Sequence, residues 1–393
     1  MALGALIGAY QENESGSLYA LQPLAGRTLV EYQARCASAA GCAPIVVLVE
    51  TVPAALAAAL DRLRGEGVTV VAVTDARDAA ARFEPHSRIL QVADGVAPAM
   101  PLVEGLAQYE ERAVLTVPDD ERHAEFERID NQHRWAGLAL VDGQTLATTA
   151  AMLGDWDLLS TLLRRTIQAG AVNVPAREGL TPYHAQRGGA QEFDRSLLLA
   201  SRGARPDWVA QYLLPFLEEF ALGQLMRTPV RPSWLMGGAL VLSGAAAVAF
   251  AAGYLWTAVA LLLLSLPLDP IADRLSQLRL QPLPVRFPIR RLLWPAAGLA
   301  LLALGWFVMR SGGSWGALAT SGTAVAFGEA QRIERGGGVL PSSLWLFDRR
   351  PAVVVGAVVA FSGLWSLVPV ILALYATVSF FFVQRQVHRS QRD

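Results

Sequence analysis

Residues 234–268 carry no charged side chain. About 20 apolar residues cross a bilayer as a helix, so this run predicts two crossings with a tight turn near Gly253. Polar and charged positions crowd in front of it, and apolar runs dominate behind it. The pattern predicts six crossings, at 233–252, 254–268, 291–309, 315–327, 352–365 and 368–383. The fourth, rich in Gly, Ala, Ser and Thr, suits close packing between helices rather than contact with lipid. Arginine placement gives an orientation. Arg274, Arg279, Arg286, Arg290 and Arg291 fall between crossings two and three, Arg332, Arg335, Arg349 and Arg350 between four and five, and Arg385, Arg389 and Arg392 in the tail. The alternate connections hold only Arg310. Under the positive-inside rule this puts both termini on the cytoplasmic side of a bacterial-type inner (plasma) membrane.

The first half alternates short apolar runs with helical periodicity. Strands are expected at 5–8, 44–50, 68–73, 88–92, 113–118 and 135–141, and helices at 28–40, 54–64, 76–82 and 158–168. Such alternation predicts a parallel sheet with crossover helices over residues 1–195. The opening MALGALIGAY is too short and lacks the basic flank of a signal peptide, and reads as a first buried strand. Ligands of such sheets sit beyond the carboxyl ends of the strands, which here are the loop 9–27 and the turn Ala93-Asp94-Gly95. Residues 196–232 form a juxtamembrane segment with amphipathic patterns. They predict a helix lying in the bilayer interface, broken by Pro229 and Pro232.

Composition sharpens this division. Hydrophobic residues make up 53% and charged residues 17%, low in charge for a soluble protein. A net charge of −1 gives no electrostatic footprint for nucleic acid. The sequence contains no lysine, which excludes a P-loop lysine and a Schiff-base lysine. Cys36 and Cys42 read as small buried apolar residues rather than a disulfide or metal pair. The charged patch at 119–130, with His123, has no repeated ligand spacing and reads as a solvated face. Gly179 to His184 echoes one ankyrin-type turn, but has no second copy.

The stretch Gln22-Pro23-Leu24-Ala25-Gly26-Arg27-Thr28-Leu29 follows the first strand and its loop, and Asp94 follows a later buried strand. This layout resembles nucleotidyltransferase domains of the inositol-phosphate cytidylyltransferase type, an α/β nucleotidyltransferase-like fold (Rossmann-like, GT-A type). The resemblance implies that Gly8, Pro23, Gly26 and Arg27 bind nucleotide and that Asp94 holds the catalytic magnesium. Two departures stand out. Gln22 takes the place of the family's lysine, and the loop from Tyr10 to Gly16 carries Glu12 and Glu14, which repel a triphosphate.

In the second half, Leu268-Asp269-Pro270-Ile271-Ala272-Asp273 follows the second predicted crossing. With six helices and a preceding interfacial helix, it resembles an all-α six-helix membrane domain of the CDP-alcohol phosphotransferase type. That resemblance implies Mg²⁺ or Mn²⁺ held by Asp269 and Asp273, with Asp273 as the base that deprotonates an acceptor alcohol. The first half of the family's metal motif is replaced: Val248, Ala251 and Ala252 stand where its first two aspartates and first glycine belong, and Trp256 where its arginine belongs. Asp269 and Asp273 also read as helix-terminal acids of any protein.

Together the two halves resemble, in order, the bifunctional inositol-phosphate cytidylyltransferase / CDP-alcohol phosphotransferases (di-myo-inositol-phosphate-phosphate synthase type). This implies a homodimer in a lipid bilayer, with CDP-alcohol or nucleotide as partner, in phospholipid or inositol-phosphate metabolism. Three functional readings stay open: a divergent phosphotransferase, a noncatalytic pseudoenzyme acting as a membrane partner or regulator, and a small-solute transporter. The transporter has least support, since no charge lies mid-membrane in the later helices. A working phosphotransferase needs a further acid beside Asp269, and Glu329 and Glu334 are the nearest supply.

Overall fold

The computed structural model describes all residues except 1, 25, 155, 177–180, 188–192, 194–206, 226–227, 229, 281–288, 313, 336–343 and 391–393. The chain divides into two compact units, residues 1–201 with 278–281, and residues 202–277 with 282–393.

The first unit is built on a seven-stranded sheet. Its strands are β1 (Leu3–Gly8), β4 (Ile45–Leu48), β5 (Val70–Val73), β6 (Arg88–Val92), β8 (Ala113–Pro118), β9 (His133–Asp142) and β10 (Val172–Pro175). Two pairs of two-residue strands lie outside it: β2 (Pro23–Leu24) pairs with β3 (Arg27–Thr28), and β7 (Val96–Ala97) with β11 (Tyr183–His184). The order across the sheet is β10-β8-β9-β6-β1-β4-β5, and β9 runs antiparallel to both its neighbours. Strands buried on both faces read as continuous apolar runs rather than alternating ones. The fully buried IVVL of β4 is such a run.

Among the described residues six helices flank this sheet: α1 (Leu29–Ala39), α2 (Ala54–Gly65), α3 (Ala76–Ala81), α4 (Met100–Ala107), α5 (Gly143–Ala151) and α6 (Leu158–Gln168). Side chains hold several of their amino ends. Asp75 accepts from the Arg77 and Asp78 N–H groups, Asp142 from Thr145, and Asp157 from Ser160. Such caps satisfy N–H groups that have no partner within the helix. Leu6, Ile89, Val114, Ala139, Leu146 and Leu162 meet in the core.

The sequence pattern located most of these elements within a few residues but missed α4, α5 and β10. The GQTLATTAA of α5 has too many Thr and Ala residues for a clear apolar stripe. The VNVP of β10 is a short, mostly exposed edge.

In the second unit, a π-helical turn at Val209–Leu213 leads into α7 (Pro215–Leu225). This part of the expected interfacial helix exists; the pattern before Asp207, Pro229, the Gly179-Leu180 part of the ankyrin-like turn, and Arg286 and Arg392 lie outside the described residues. Among the described residues seven helices follow: α8 (Pro232–Ala252), α9 (Leu255–Ser265), α10 (Leu268–Leu278), α11 (Ile289–Arg310), α12 (Gly316–Glu334), α13 (Arg349–Ala360) and α14 (Leu367–Ser390). The turn after α8 falls at Gly253, as expected. Its φ is +89°, and a Cβ there would meet Phe307 Cε2 at 2.9 Å, so both conformation and space call for glycine.

Among the described residues four helical segments, not six, are long and apolar enough to cross a membrane: Pro232–Ala252, Leu255–Leu278, Arg290–Arg310 and Leu367–His388. The expected fourth and fifth crossings are helices that fall short. The apolar part of α12 stops at Glu329, Arg332 and Glu334. At 12 residues and 1.5 Å per residue, α13 is far shorter than a hydrocarbon core of about 30 Å. Ala317 and Ala324 of α12, with Ala357 and Ala360 of α13, still pack into the core of this unit with Phe250, Leu304 and Leu372. The second apolar segment also runs through Asp269 and Asp273 to Leu278, so these acids lie inside it rather than after it.

Candidate functional site

In the first unit the chain leaves β1 toward β4 on one side, and β6 lies on the other. Ligand crevices of open α/β sheets form at such a reversal, beyond the strand carboxyl ends. A cavity of about 180 Å³ opens there, lined by Tyr10 and Gln11 after β1, Asp94 after β6, and Glu125, Phe126, Glu127, Trp135, Asp157, Ser160 and His184.

Asp94, singled out from the sequence, is 4% exposed. Its Oδ2 accepts the backbone N–H groups of Tyr10 and Gln11, each at 2.6 Å. Its Oδ1 is buried without a hydrogen-bond partner. Burial pushes its carboxyl above the usual range against the pull of these N–H groups. Gly8 lets the loop close, since a Cβ there would meet Leu159 Cδ1 at 2.5 Å and Asp94 Cβ at 3.2 Å. Successive N–H groups after a first strand are what cradles a phosphate. Here two of them are spent on a carboxylate.

The other nucleotide-binding candidates stand elsewhere. Pro23 pairs with Thr28 and Arg27 with Leu24 in the β2–β3 hairpin, and Gly26 makes its turn at φ +75°. None of Gly8, Pro23, Gly26 and Arg27 lines the cavity.

The residues that do line it are strongly acidic. Asp157 Oδ1 accepts the Tyr10 hydroxyl at 2.6 Å, and its Oδ2 caps α6. Burial and the Asp157 carboxylate push the Tyr10 phenol upward. Glu127 accepts from the Ser160 hydroxyl at 2.9 Å, and Arg164 approaches it at 3.5 Å. Burial holds His184 below its ordinary value, so it is neutral at pH 7. Its Nδ1 faces the Gln186 N–H at 3.3 Å, which leaves the proton on Nε2. His184 also meets Phe126 edge-to-face, ring centroids 5.4 Å apart.

Sequence reading dismissed Glu125 and Glu127 as part of a solvated patch, and gave no role to Tyr10 or Asp157. The β7–β11 pairing brings His184 back to Val96, beside Asp94. Neither short strand has a signal in its own residues.

In the second unit Asp269 is 9% exposed and set among arginines. Arg350 donates from Nη2 to Asp269 Oδ2 at 2.6 Å and from Nη1 to Asp207 Oδ2 at 2.7 Å. Arg349 Nη1 lies 3.2 Å from Asp269 Oδ1, and its Nη2 donates to the Ser265 hydroxyl and carbonyl. Asp273 has Arg290 at 3.5 Å. The expected cation pair of Asp269 and Asp273 thus meets guanidinium groups, and among the described residues no three His, Cys, Asp or Glu side chains are grouped to hold a metal ion. The donor set at Asp269 does not fit a divalent ion, because both its oxygens already face fixed positive charge. Asp94 offers one open oxygen and no such group. An apolar cavity of about 60 Å³ in the same unit, lined by Trp294, Leu301, Val325 and Leu372, has Arg349 as its charged member.

No protein-family model matches the chain, and no curated protein matches it. Among solved structures it is similar to a glucose-1-phosphate thymidylyltransferase of Bacillus anthracis in complex with a sucrose. The identity is 12% and the TM-score 0.40, over 52% of this chain and 97% of that one. It is also similar to the CTP:phosphocholine cytidylyltransferase of Streptococcus pneumoniae. There the identity is 14% and the TM-score 0.35, over 47% of this chain and 93% of that one.

Proposed function

We propose that this protein is a membrane-anchored binding protein, built on the plan of a nucleotidyltransferase joined to a CDP-alcohol phosphotransferase but not performing metal-dependent phosphoryl transfer. It acts as a membrane partner or regulator, with its α/β half presenting a ligand pocket. The observation that carries this is the pair of arginines on Asp269. A divalent ion there must displace two charge-assisted contacts, taking from buried Arg349 its carboxylate partner and leaving Arg350 with Asp207 alone, which costs several kcal/mol. The loop after β1 points the same way, since the Tyr10 and Gln11 N–H groups are taken up by Asp94.

A second reading, a divergent phosphotransferase, is favoured by one observation. Among the described residues the ion-pair partner of Asp273 is the exposed Arg290 at 3.5 Å, so it is the acid most open to act as a base toward an alcohol, with Mg²⁺ or Mn²⁺ bound elsewhere. The two readings separate in a turnover assay. Full-length protein in detergent is given CTP with phosphorylated alcohols, and CDP-linked alcohols with free alcohols, in Mg²⁺ or Mn²⁺. The binding-protein reading predicts no pyrophosphate or CMP above background. CMP release that Asp273→Asn abolishes overturns it.

A further inference from the structure

Resting on the reading of the α/β unit as a binding module, we propose that its strand-end cavity takes a short neutral polyol of three or four carbons, held by hydroxyl groups against Asp94 and Trp135. Two buried polar atoms mark the place. Asp94 Oδ1 and the indole Nε1 of Trp135 each lack a hydrogen-bond partner, both residues are 4% exposed, and both form the cavity wall. Buried polar atoms of folded proteins are nearly always paired, and leaving one unpaired is costly.

The chemistry of these two atoms selects the guest. The indole N–H only donates, so the guest atom beside it accepts. The Asp94 oxygen accepts when ionised and donates when protonated. A hydroxyl group serves both residues in either state, since its oxygen donates one bond and accepts others. An ammonium group serves the carboxylate but offers the indole nothing, and an ether or carbonyl oxygen does the reverse. A phosphate ester finds the two N–H groups after β1, those of Tyr10 and Gln11, already given to Asp94 Oδ2.

The rest of the wall fits a carbon chain with hydroxyls at both ends. Val96, Phe126 and Leu159 are buried and give its inner part an apolar surface. Gln11 and Gln186 are exposed and border it toward solvent, where their amides donate and accept as hydroxyls do. Size narrows the class further. The cavity, at about 180 Å³, slightly exceeds the roughly 150 Å³ that admits benzene. Glycerol has as many heavy atoms as benzene and erythritol two more, whereas a hexose or a cyclitol has twice as many.

The test uses the full-length protein in detergent, labelled with 5-fluorotryptophan. Erythritol and glycerol are titrated in, followed by calorimetry and by the fluorine resonance of Trp135, identified as the one missing from Trp135→Phe. The proposal predicts saturable heat, with that resonance shifting along the same curve, unlike the general stabilisation that polyols give by exclusion from protein surfaces. Trp135→Phe weakens erythritol binding about tenfold. Gln11→Trp, a change at an exposed position, weakens it by narrowing the entrance and carries the test if Trp135→Phe does not fold. Absence of saturable binding would show a cavity that holds water only and would overturn the proposal. So would tighter binding of ethanolamine or glycerol 3-phosphate than of erythritol, equal binding of myo-inositol, or erythritol binding indifferent to the variants. Failure of the broader reading shows separately, as CTP-dependent pyrophosphate or CMP release in the turnover assay, whatever erythritol does.

Discussion

Arg350 Nη2 donates to Asp269 Oδ2 at 2.6 Å while the same guanidinium reaches Asp207 Oδ2 at 2.7 Å. One buried cation thus joins the start of the π-helical turn, before α7, to the acidic start of α10. With Arg349 at 3.2 Å from Asp269 Oδ1, the cluster holds two arginines and two aspartates, so it closes as a neutral set. Arginine suits this place because its planar fork meets two carboxylates at once, which lysine cannot do.

Removing one member of such a set leaves a buried charge alone. Arg350→Gln is therefore expected to destabilise the helical unit by about 3–5 kcal/mol, more than Arg290→Gln, whose partner contact with Asp273 is at 3.5 Å on an exposed side chain. Thermal unfolding in detergent, followed by circular dichroism, compares the two. Equal melting temperatures would show that the cluster carries no such cost.

A second buried acid makes the α/β unit sensitive to low pH. Glu31 is 0% exposed. Its Oε1 and Oε2 receive Arg62 at 2.9 Å each, and Oε2 also receives the Thr28 N–H and hydroxyl. Burial raises its carboxyl, but these bonds win and hold it below the usual range. A depressed folded value contributes stability above the unfolded value, about 4.3, that is lost as pH falls through the folded one. Glu31→Gln should cost about 3 kcal/mol at pH 7, the low end for a buried pair because Arg62 is 40% exposed. The penalty should shrink below about pH 4, as read by urea unfolding at several pH values.

Asp94 has the opposite sign. Its carboxyl is raised by burial, so the folded state binds a proton more readily than the unfolded chain and loses stability as pH rises through this window. Asp94→Asn keeps an oxygen for the Tyr10 and Gln11 N–H groups and removes the buried charge. It should raise the melting temperature at pH 7 and lose that advantage in acid, where the wild-type group is itself protonated. A lower melting temperature at pH 7 would mean that the ionised form is needed by the fold.

Cys36 and Cys42 are both free and buried, and burial pushes each thiol up to about 12. Thiolate is the reactive form, so neither should react with a maleimide at pH 8 until the unit unfolds. Labelling before and after denaturation, read by mass, checks this.

The sequence disclosed the parts whose signal is local. Apolar runs such as IVVL and LGALIG place strands, Gly253 marks the turn after a long apolar helix, and Asp94 falls at a strand end where ligands gather. It disclosed less where the signal lies in contacts between distant residues. Arg349 and Arg350 read as loop charges that set orientation, yet they open α13 behind its N-cap Asp348 and reach back to Asp269, about 80 positions earlier. His184 joins the cavity through a two-residue strand with no pattern of its own. Apolar content alone gives six candidate crossings; among the described residues the length and composition of the helices themselves support four of them, because α12 ends in charges and α13 is short.

The central claim is that the acids of the helical unit serve arginines rather than metals. It is tested most directly by calorimetric titration of CDP-linked alcohols into the full-length protein in detergent, with and without Mg²⁺ or Mn²⁺, for wild type and for Asp269→Asn with Asp273→Asn. The account predicts no metal-dependent binding in either protein. Metal-dependent binding by wild type that vanishes in the double variant would contradict it.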